Sequence, residues 1–512
     1  MSYYIANLSE AAPGRELLIS AAFIAGLYCV ARVLYQLCLH PLAGFRGPRQ
    51  AALSTWWLYS ISKSGQAPQV FEELHRRYNT RVLRVGPNEV HISDSSLYHT
   101  IYSQDHAFTK DPYFYDAFGT PHSVFVETDR ALHRQRRKLL GKFFSKTSKR
   151  ELQNVLYRQM EKLCNLLAKR SETDSEEPLN IYNAARCLTL DIISDIAFGR
   201  SLDTLSSAKG STFESSLLHA LDLAAHSIWD MMYIPQLRAL MGNMPLALTN
   251  WLGGPAVHFA RLTENIKSVV EKFKDLKSAG KSFDHAVVFD DLTELDDTSL
   301  IAEATDILVA GSDTTATTLA VALYQLTHIP EVYAALKHEI RNADLKTPED
   351  FDLTRLEQFP YLSATVKEAL RFANAVPGRL PRVVPSPQSK AGVLEVDGKV
   401  IPEGTIVSIS AYMVLFDESI WGSDAQTFNP KRWLSDEGRQ LDKYLVTFSK
   451  GARQCLGINL ANAELTLALA MIVSRFDLTA DDTLTDLDMK SYDGFTRSYK
   501  DGPGPRLKVS IL

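Results

Sequence analysis

The chain has 512 residues, 22% charged and 45% hydrophobic, with 26 Gly and 22 Pro, which excludes collagen-like, low-complexity and wholly disordered proteins. A count of 55 Lys and Arg against 60 Asp and Glu gives a formal net charge of −5, too balanced for a nucleic-acid binder. The 5 cysteines (Cys29, Cys38, Cys164, Cys187 and Cys455) form no CxxC pair, so neither a disulfide framework nor a zinc site is expected, and a reducing compartment fits best.

Residues 17–39 read LLISAAFIAGLYCVA, then Arg32, then VLYQLCL, long and apolar enough for a helix that spans a bilayer. Arg32 stands about two turns from the end, where a long side chain reaches the headgroups. Arg46 and Arg49 follow the segment and place the body on the cytosolic side. A cleaved signal peptide fits less well, because Glu10 and Glu16 stand where a basic region belongs and no A-x-A site follows closely. A buried core helix is the other alternative. Pro41 and Gly47-Pro48 stop the helix and stiffen its exit. The expected organisation is an anchor over 1–40 and one body over 41–512.

In the body, 81–93 reads as two short strands around Gly86-Pro87-Asn88, and 393–410 as a second hairpin turning at Asp397-Gly398. Helical periodicity runs through 149–169, 181–199, 213–241, 257–278, 298–329, 331–342 and 361–373. The polar stretch 279–297 reads as a surface linker. No fixed-period repeat is visible. The fold class is mainly α, a helical bundle with small hairpins.

The segment from Asp297 to Ile329 is unusually long for one helix. Asp297 or Thr298 caps it and Pro330 ends it. Its centre, Ala310-Gly311-Ser312-Asp313-Thr314-Thr315, sets small residues, a carboxylate and hydroxyls where an apolar core helix has none. Either this is a kink without function, or the helix bends toward a bound group.

Near the C-terminus stands Phe448-Ser449-Lys450-Gly451-Ala452-Arg453-Gln454-Cys455-Leu456-Gly457, followed by an apolar helical run over 458–473. A lone cysteine is ordinarily a small core residue. Here Gly451 and Gly457 permit a tight loop whose amides point at the sulfur, Arg453 adds positive charge, and a helix N-terminus begins just beyond. All three favour a thiolate, and Phe448 shields it, as a soft axial iron ligand requires.

This FxxGxRxCxG run resembles the haem-binding loop of the cytochrome P450 family. Glu368-Ala369-Leu370-Arg371 resembles the family's ExxR helix, and Phe428 to Trp433 the segment whose arginine, Arg432, completes a structural triad with Glu368 and Arg371. Ala310 to Thr314 resembles its oxygen-activating helix. His133, four residues before Arg137, stands where many members carry tryptophan. The resemblance covers 41–512 and implies the cytochrome P450 fold with a long central helix, behind an N-terminal transmembrane anchor. It implies haem b as cofactor and Cys455 as the metal ligand, with Phe448, Gly451, Arg453 and Gly457 shaping the cofactor loop. His133, Arg137, Arg382 and Arg453 would hold the propionates. Asp313 and Thr314 would be the catalytic pair that delivers protons, and Gly311 would leave room for dioxygen.

The implied activity is monooxygenation, hydroxylation or epoxidation of a hydrophobic small molecule with O2 and NADPH-derived electrons. The chain has no GxGxxG unit and no flavin domain. The implied partners are therefore NADPH–cytochrome P450 reductase and cytochrome b5 as a further donor, at the endoplasmic reticulum membrane. The basic run His133-Arg134-Gln135-Arg136-Arg137-Lys138, with Lys142 and Lys450, is either a solvated helix face or a docking patch for an acidic reductase. Expected pocket walls are 108–126, 213–241, 301–310, 376–380 and 492–495. The stretches Asp111 to Tyr115 and 136–146 resemble trichodiene oxygenase-like members of fungal secondary metabolism, which suggests a terpenoid substrate. A haem-thiolate isomerase or dehydratase would need neither Asp313 nor Thr314. A non-enzymatic membrane haem-binding protein is the alternative of another class.

Overall fold

The computed structural model describes residues 12–105, 107–145, 152–173, 176–208, 210–242, 248 and 255–512. Residues 1–11, Lys146 and the first residues of the helix expected from 149 lie outside that set.

The apolar N-terminal run is a helix, Ala12–Leu34, continued by a π turn, Tyr35–Leu39. Leu17–Leu39 has a mean hydropathy of 2.1 and no buried residue in its apolar stretch, so this helix is long and apolar enough to cross a membrane. Its end is not a loose tether. Buried Arg84 donates to Gln36 O, Gln36 Oε1 and Leu42 O, and also to Gly86 O and Pro87 O. A buried guanidinium needs many acceptors, and three of these five belong to residues 36–42, where the chain leaves that helix.

The long central helix forms as expected, Asp297–His328, capped by Asp296, whose carboxylate accepts from Ser299 N–H. It too is apolar enough to span a membrane, but 72% of its most apolar stretch is buried, so it is the core of the body. The helix Ile181–Phe198 lies against it, buried on nearly every side, the pattern of a helix enclosed by others. Gly311 is what lets the two approach: a Cβ there would stand 2.6 Å from Ile193 Cγ1. Its missing side chain therefore serves helix packing, and the expected role in making room for dioxygen is corrected.

Two other expectations change. The helical stretch 213–241 is two helices, Ser216–Tyr233 and Pro235–Gly242, because Pro235 has no N–H to continue the ladder. The expected linker 279–297 contains a 3-10 turn, Val288–Leu292, whose Val288, Phe289 and Leu292 are fully buried. Its polar flanks hid an apolar plug.

Both hairpins form. Val82–Gly86 pairs with Glu89–Ile92, and Glu395–Val396 with Lys399–Val400 across Asp397 (φ 53) and Gly398 (φ 71), the left-handed pair that tight hairpins favour. Residues 406–408 leave the second hairpin and run parallel to Glu89–Ile92. On their other edge they pair with Arg382–Val383, which pairs in turn with Thr109–Lys110. That sheet sets Lys110 directly opposite Arg382.

The last long helix, Ile458–Arg475, buries Glu464. Among the described residues its Oε2 has no hydrogen-bond partner, and burial pushes the carboxyl well above its ordinary 4.5. The folded protein then keeps a proton that the unfolded chain releases, so stability falls as pH rises above the unfolded value. Glu464→Gln is expected to raise the thermal midpoint at about pH 8 and to leave it unchanged at about pH 4. An equal gain at both pH values would show that this proton is not the cause.

Candidate active site

The cysteine loop is closed by Cys455 N–H donating to Phe448 O at 3.0 Å. Gly451 has φ 74, and a Cβ there would stand 2.3 Å from Ser103 O and 2.4 Å from Tyr102 O. Only glycine takes that turn and that contact together. Gly457 caps the last long helix. Burial pushes the Cys455 thiol up, while the Gly457 N–H and the Arg137 guanidinium pull it down. The positive charge acting on the sulfur thus comes from Arg137. Arg453, expected in that role, turns its guanidinium to Glu127 O and Thr128 O.

Behind this loop, Glu368 and Arg371 on the helix Pro360–Ala373 are fully buried. Glu368 accepts from Arg371 Nε (3.0 Å) and Nη2 (2.8 Å), Arg432 Nε (3.1 Å), Trp433 Nε1 (2.9 Å) and Asn429 N (2.8 Å). Arg371 also donates to Leu415 O, Ala425 O and Thr427 O. Thr447 Oγ1 donates to Leu370 O at 2.8 Å, which ties the same helix to the residue before Phe448.

On the central helix, Asp306, Ala310 and Thr314 recur every fourth residue and share one face. Ala310 is exposed in mid-helix and Cys455 is exposed at the end of its loop, although both lie within the body. The space they face is internal. Thr314 Oγ1 donates to Ala310 O at 2.8 Å. Asp313 is 5% exposed and accepts from Arg186 Nε at 2.8 Å. Arg186, buried and lying over the Tyr182 ring, also pairs with Asp222 at 2.7 Å on the helix Ser216–Tyr233. Burial raises the Asp313 pKa and Asp222 adds to it, against the pull of Arg186.

Beside the sulfur, cations gather. His133 and Arg137 lie one turn apart on the helix Arg130–Gly141, His133 buried and Arg137 half-buried. Lys110 and Arg382 face each other across the sheet, and Arg382 Nη1 donates to Tyr115 Oη at 2.8 Å. Burial pushes Lys110 well below its ordinary value, and Arg382, Arg453 and Arg137 push it further. Arg453 falls to about 10 through burial and the charge of Arg382. Four cations pressed together this way form a site for an anion.

The family model described as Cytochrome P450 matches residues 47–500. The chain belongs to the cytochrome P450 family. It is 31% identical to cytochrome P450 monooxygenase aneF of Aspergillus aculeatus over 89% of this chain and 93% of that protein. It is 34% identical to cytochrome P450 monooxygenase MO6277 of Ascocoryne sarcoides, over 91% and 92%, and 34% identical to cytochrome P450 monooxygenase sol6 of Alternaria solani, over 84% and 93%. The protein is a P450 monooxygenase, and such an enzyme binds haem b through a cysteine thiolate.

The residues present fit that group. Cys29 and Cys38 lie on the uncovered N-terminal helix, while Cys164 and Cys187 are buried, their thiols pushed up to about 12 by burial. Cys455 is the one cysteine of the body that opens on the internal space, and the cation cluster beside it matches two propionates.

Sequence reasoning placed Lys110 and Tyr115 only within the expected pocket wall 108–126, with no part in the cation cluster, and missed Arg186. Lys110 reaches the site only through strand pairing, and Arg186 only through helix packing. The basic run also divides: His133 is buried and Arg136 pairs with buried Glu303 at 3.4 Å, whereas Arg134 and Lys138 face outward and exposed Lys142 pairs with Asp291.

Proposed function

We propose that this P450 hydroxylates or epoxidises a hydrophobic metabolite, of terpenoid type, in fungal secondary metabolism. Residues 1–40 anchor it in the endoplasmic reticulum membrane, and residues 41–512 form the catalytic body. Electrons come from NADPH–cytochrome P450 reductase, with cytochrome b5 as a further donor, docking on outward-facing Arg134, Lys138 and Lys142. The single observation that carries the reading is Cys455, exposed at the end of its glycine loop within the body and subject to the charge of Arg137.

In this reading Cys455 ligates the iron, and Lys110, His133, Arg137, Arg382 and Arg453 hold the propionates. When bound, haem b supplies an iron that takes up dioxygen and two electrons. The chain supplies protons. Thr314 Oγ1 leaves Ala310 O by rotating its side chain and donates into the space. Asp313 relays protons to it through water: burial raises its pKa against the pull of Arg186, and Arg186 Nε, donating to Oδ1, leaves Oδ2 for the proton. Phe448 and Gly457 keep water from the sulfur.

Thr314→Ala is expected to keep the haem and the thiolate while product per NADPH falls about tenfold and hydrogen peroxide release rises. The assay is membranes with reductase, NADPH and candidate terpenoids, read by mass spectrometry beside NADPH consumption. Full coupling in the variant would remove Thr314 from proton delivery. Absence of any reductase-dependent product across the panel would count against the electron donor and substrate class together.

A further inference from the structure

His75, on the helix Ala67–Tyr78, and His91, on the strand Glu89–Ile92, are both buried, and the proton delivery described above uses neither. They stand in one hydrogen-bonded row. His75 Nδ1 lies 2.8 Å from Thr80 O, and His75 Nε2 lies 2.9 Å from His91 Nδ1. At the far end His91 Nε2 meets Ser410 N–H at 3.1 Å and Ser410 Oγ at 2.9 Å. The Phe71 ring packs on His91 with centroids 4.7 Å apart.

The two ends of the row fix every hydrogen inside it. A carbonyl oxygen only accepts, so His75 Nδ1 carries a hydrogen; a backbone N–H only donates, so His91 Nε2 carries none. The remaining hydrogen sits on His91 Nδ1 and is donated to His75 Nε2. Both rings are therefore neutral, and the row has no place for another proton. One added at His75 Nε2 would face His91 Nδ1–H, and one added at His91 Nε2 would face Ser410 N–H. The charges around the row do not offset this. Arg379, paired with Glu89, acts on His91, and Asp397, paired with Arg81, acts on His75. Burial holds both histidines below the ordinary 6.5, His91 well below it with His75 and Arg379 adding to the effect, and Thr80 O and Asp397 restore His75 only in part.

The row joins the helix Ala67–Tyr78 to the sheet and to the backbone bridge between Arg379 and Ser410. Arg46, which follows the N-terminal helix, donates to Tyr78 O and Asn79 O, each at 2.9 Å, so the end of the same helix also receives the incoming chain. We propose that the His75–His91 pair is an acid-sensitive latch: neutral, it holds this helix on the sheet, and protonation releases the helix together with its hold on Arg46. Opened histidines take up protons at their ordinary value while latched ones do not. The latch is therefore firm above about pH 6.5 and loosens as pH falls below it. Nothing in this depends on the haem reading.

The test is hydrogen exchange of the full-length haem-loaded protein, read by mass spectrometry on the amides of residues 67–78. Exchange is measured at about pH 7.5 and about pH 5.5, each relative to the intrinsic rate at that pH. With two histidines kept unprotonated by the closed latch, opening in the unaltered protein is expected to rise about a hundredfold between the two. In His75→Gln, whose amide does not titrate, the rise is expected to shrink to about tenfold, the share of His91 alone. In the double variant His75→Gln, His91→Gln it is expected to vanish. A rise in His75→Gln as large as in the unaltered protein overturns the proposal. So does the absence of any rise in the unaltered protein, which needs no variant to fold.

Discussion

Arg371→Ala is expected to destabilise the haem-loaded protein by about 3–5 kcal/mol, the cost of breaking a buried ion pair by removing one partner, with Arg432 alone left to face the Glu368 carboxylate. Glu368 would lose two of the five hydrogen bonds it accepts, the bidentate pair from Arg371. Leu415 O, Ala425 O and Thr427 O would lose their donor at the same time. Arg371→Lys keeps the charge but cannot make the fork, so it should recover less than half of the loss. Because Thr447 ties this helix to the cysteine loop, haem should dissociate faster from both variants. Denaturant unfolding followed beside haem absorbance checks both statements. A midpoint unchanged in Arg371→Ala would show that the network is not what holds the loop.

Cys455→Ser is expected to fold and to lose the thiolate signature of the reduced carbonyl spectrum entirely. Serine preserves the backbone hydrogen bond to Phe448 O and the size of the side chain, so the loop should persist while the soft donor disappears. Activity with reductase should fall to background. The result against the assignment is a thiolate spectrum that survives the substitution, since the ligand would then have to be another cysteine. Cys164 and Cys187 are poor candidates, both buried with their thiols pushed up to about 12.

The cysteine loop and the Glu368–Arg371 pair were legible in the sequence because their chemistry is local: a turn that needs glycine, and two side chains on one helical face. The long helices were legible for the same reason, through periodicity and flanking prolines. What stayed hidden is what depends on distant segments meeting. Lys110 is an ordinary lysine until a strand pair sets it against Arg382. Arg186 reads as one of three charges in an otherwise apolar helix until that helix lies on Asp313. Gly311 was read by its neighbours in sequence as a space for gas, whereas its neighbour in space is Ile193. The plug at 288–292 was masked by the acidic residues around it, and Pro235 announced a helix break that the surrounding apolar pattern overrode.

Arg84 bears on how the enzyme would sit if its N-terminal helix crosses a membrane. One inward-pointing guanidinium grips both the foot of that helix and the sheet that carries Arg382. The heading of the body above the lipid would then be set by the fold and would not swivel on a leash. Shortening the chain at residue 40 would spare every residue assigned to chemistry yet erase the compass that decides which side looks toward the bilayer.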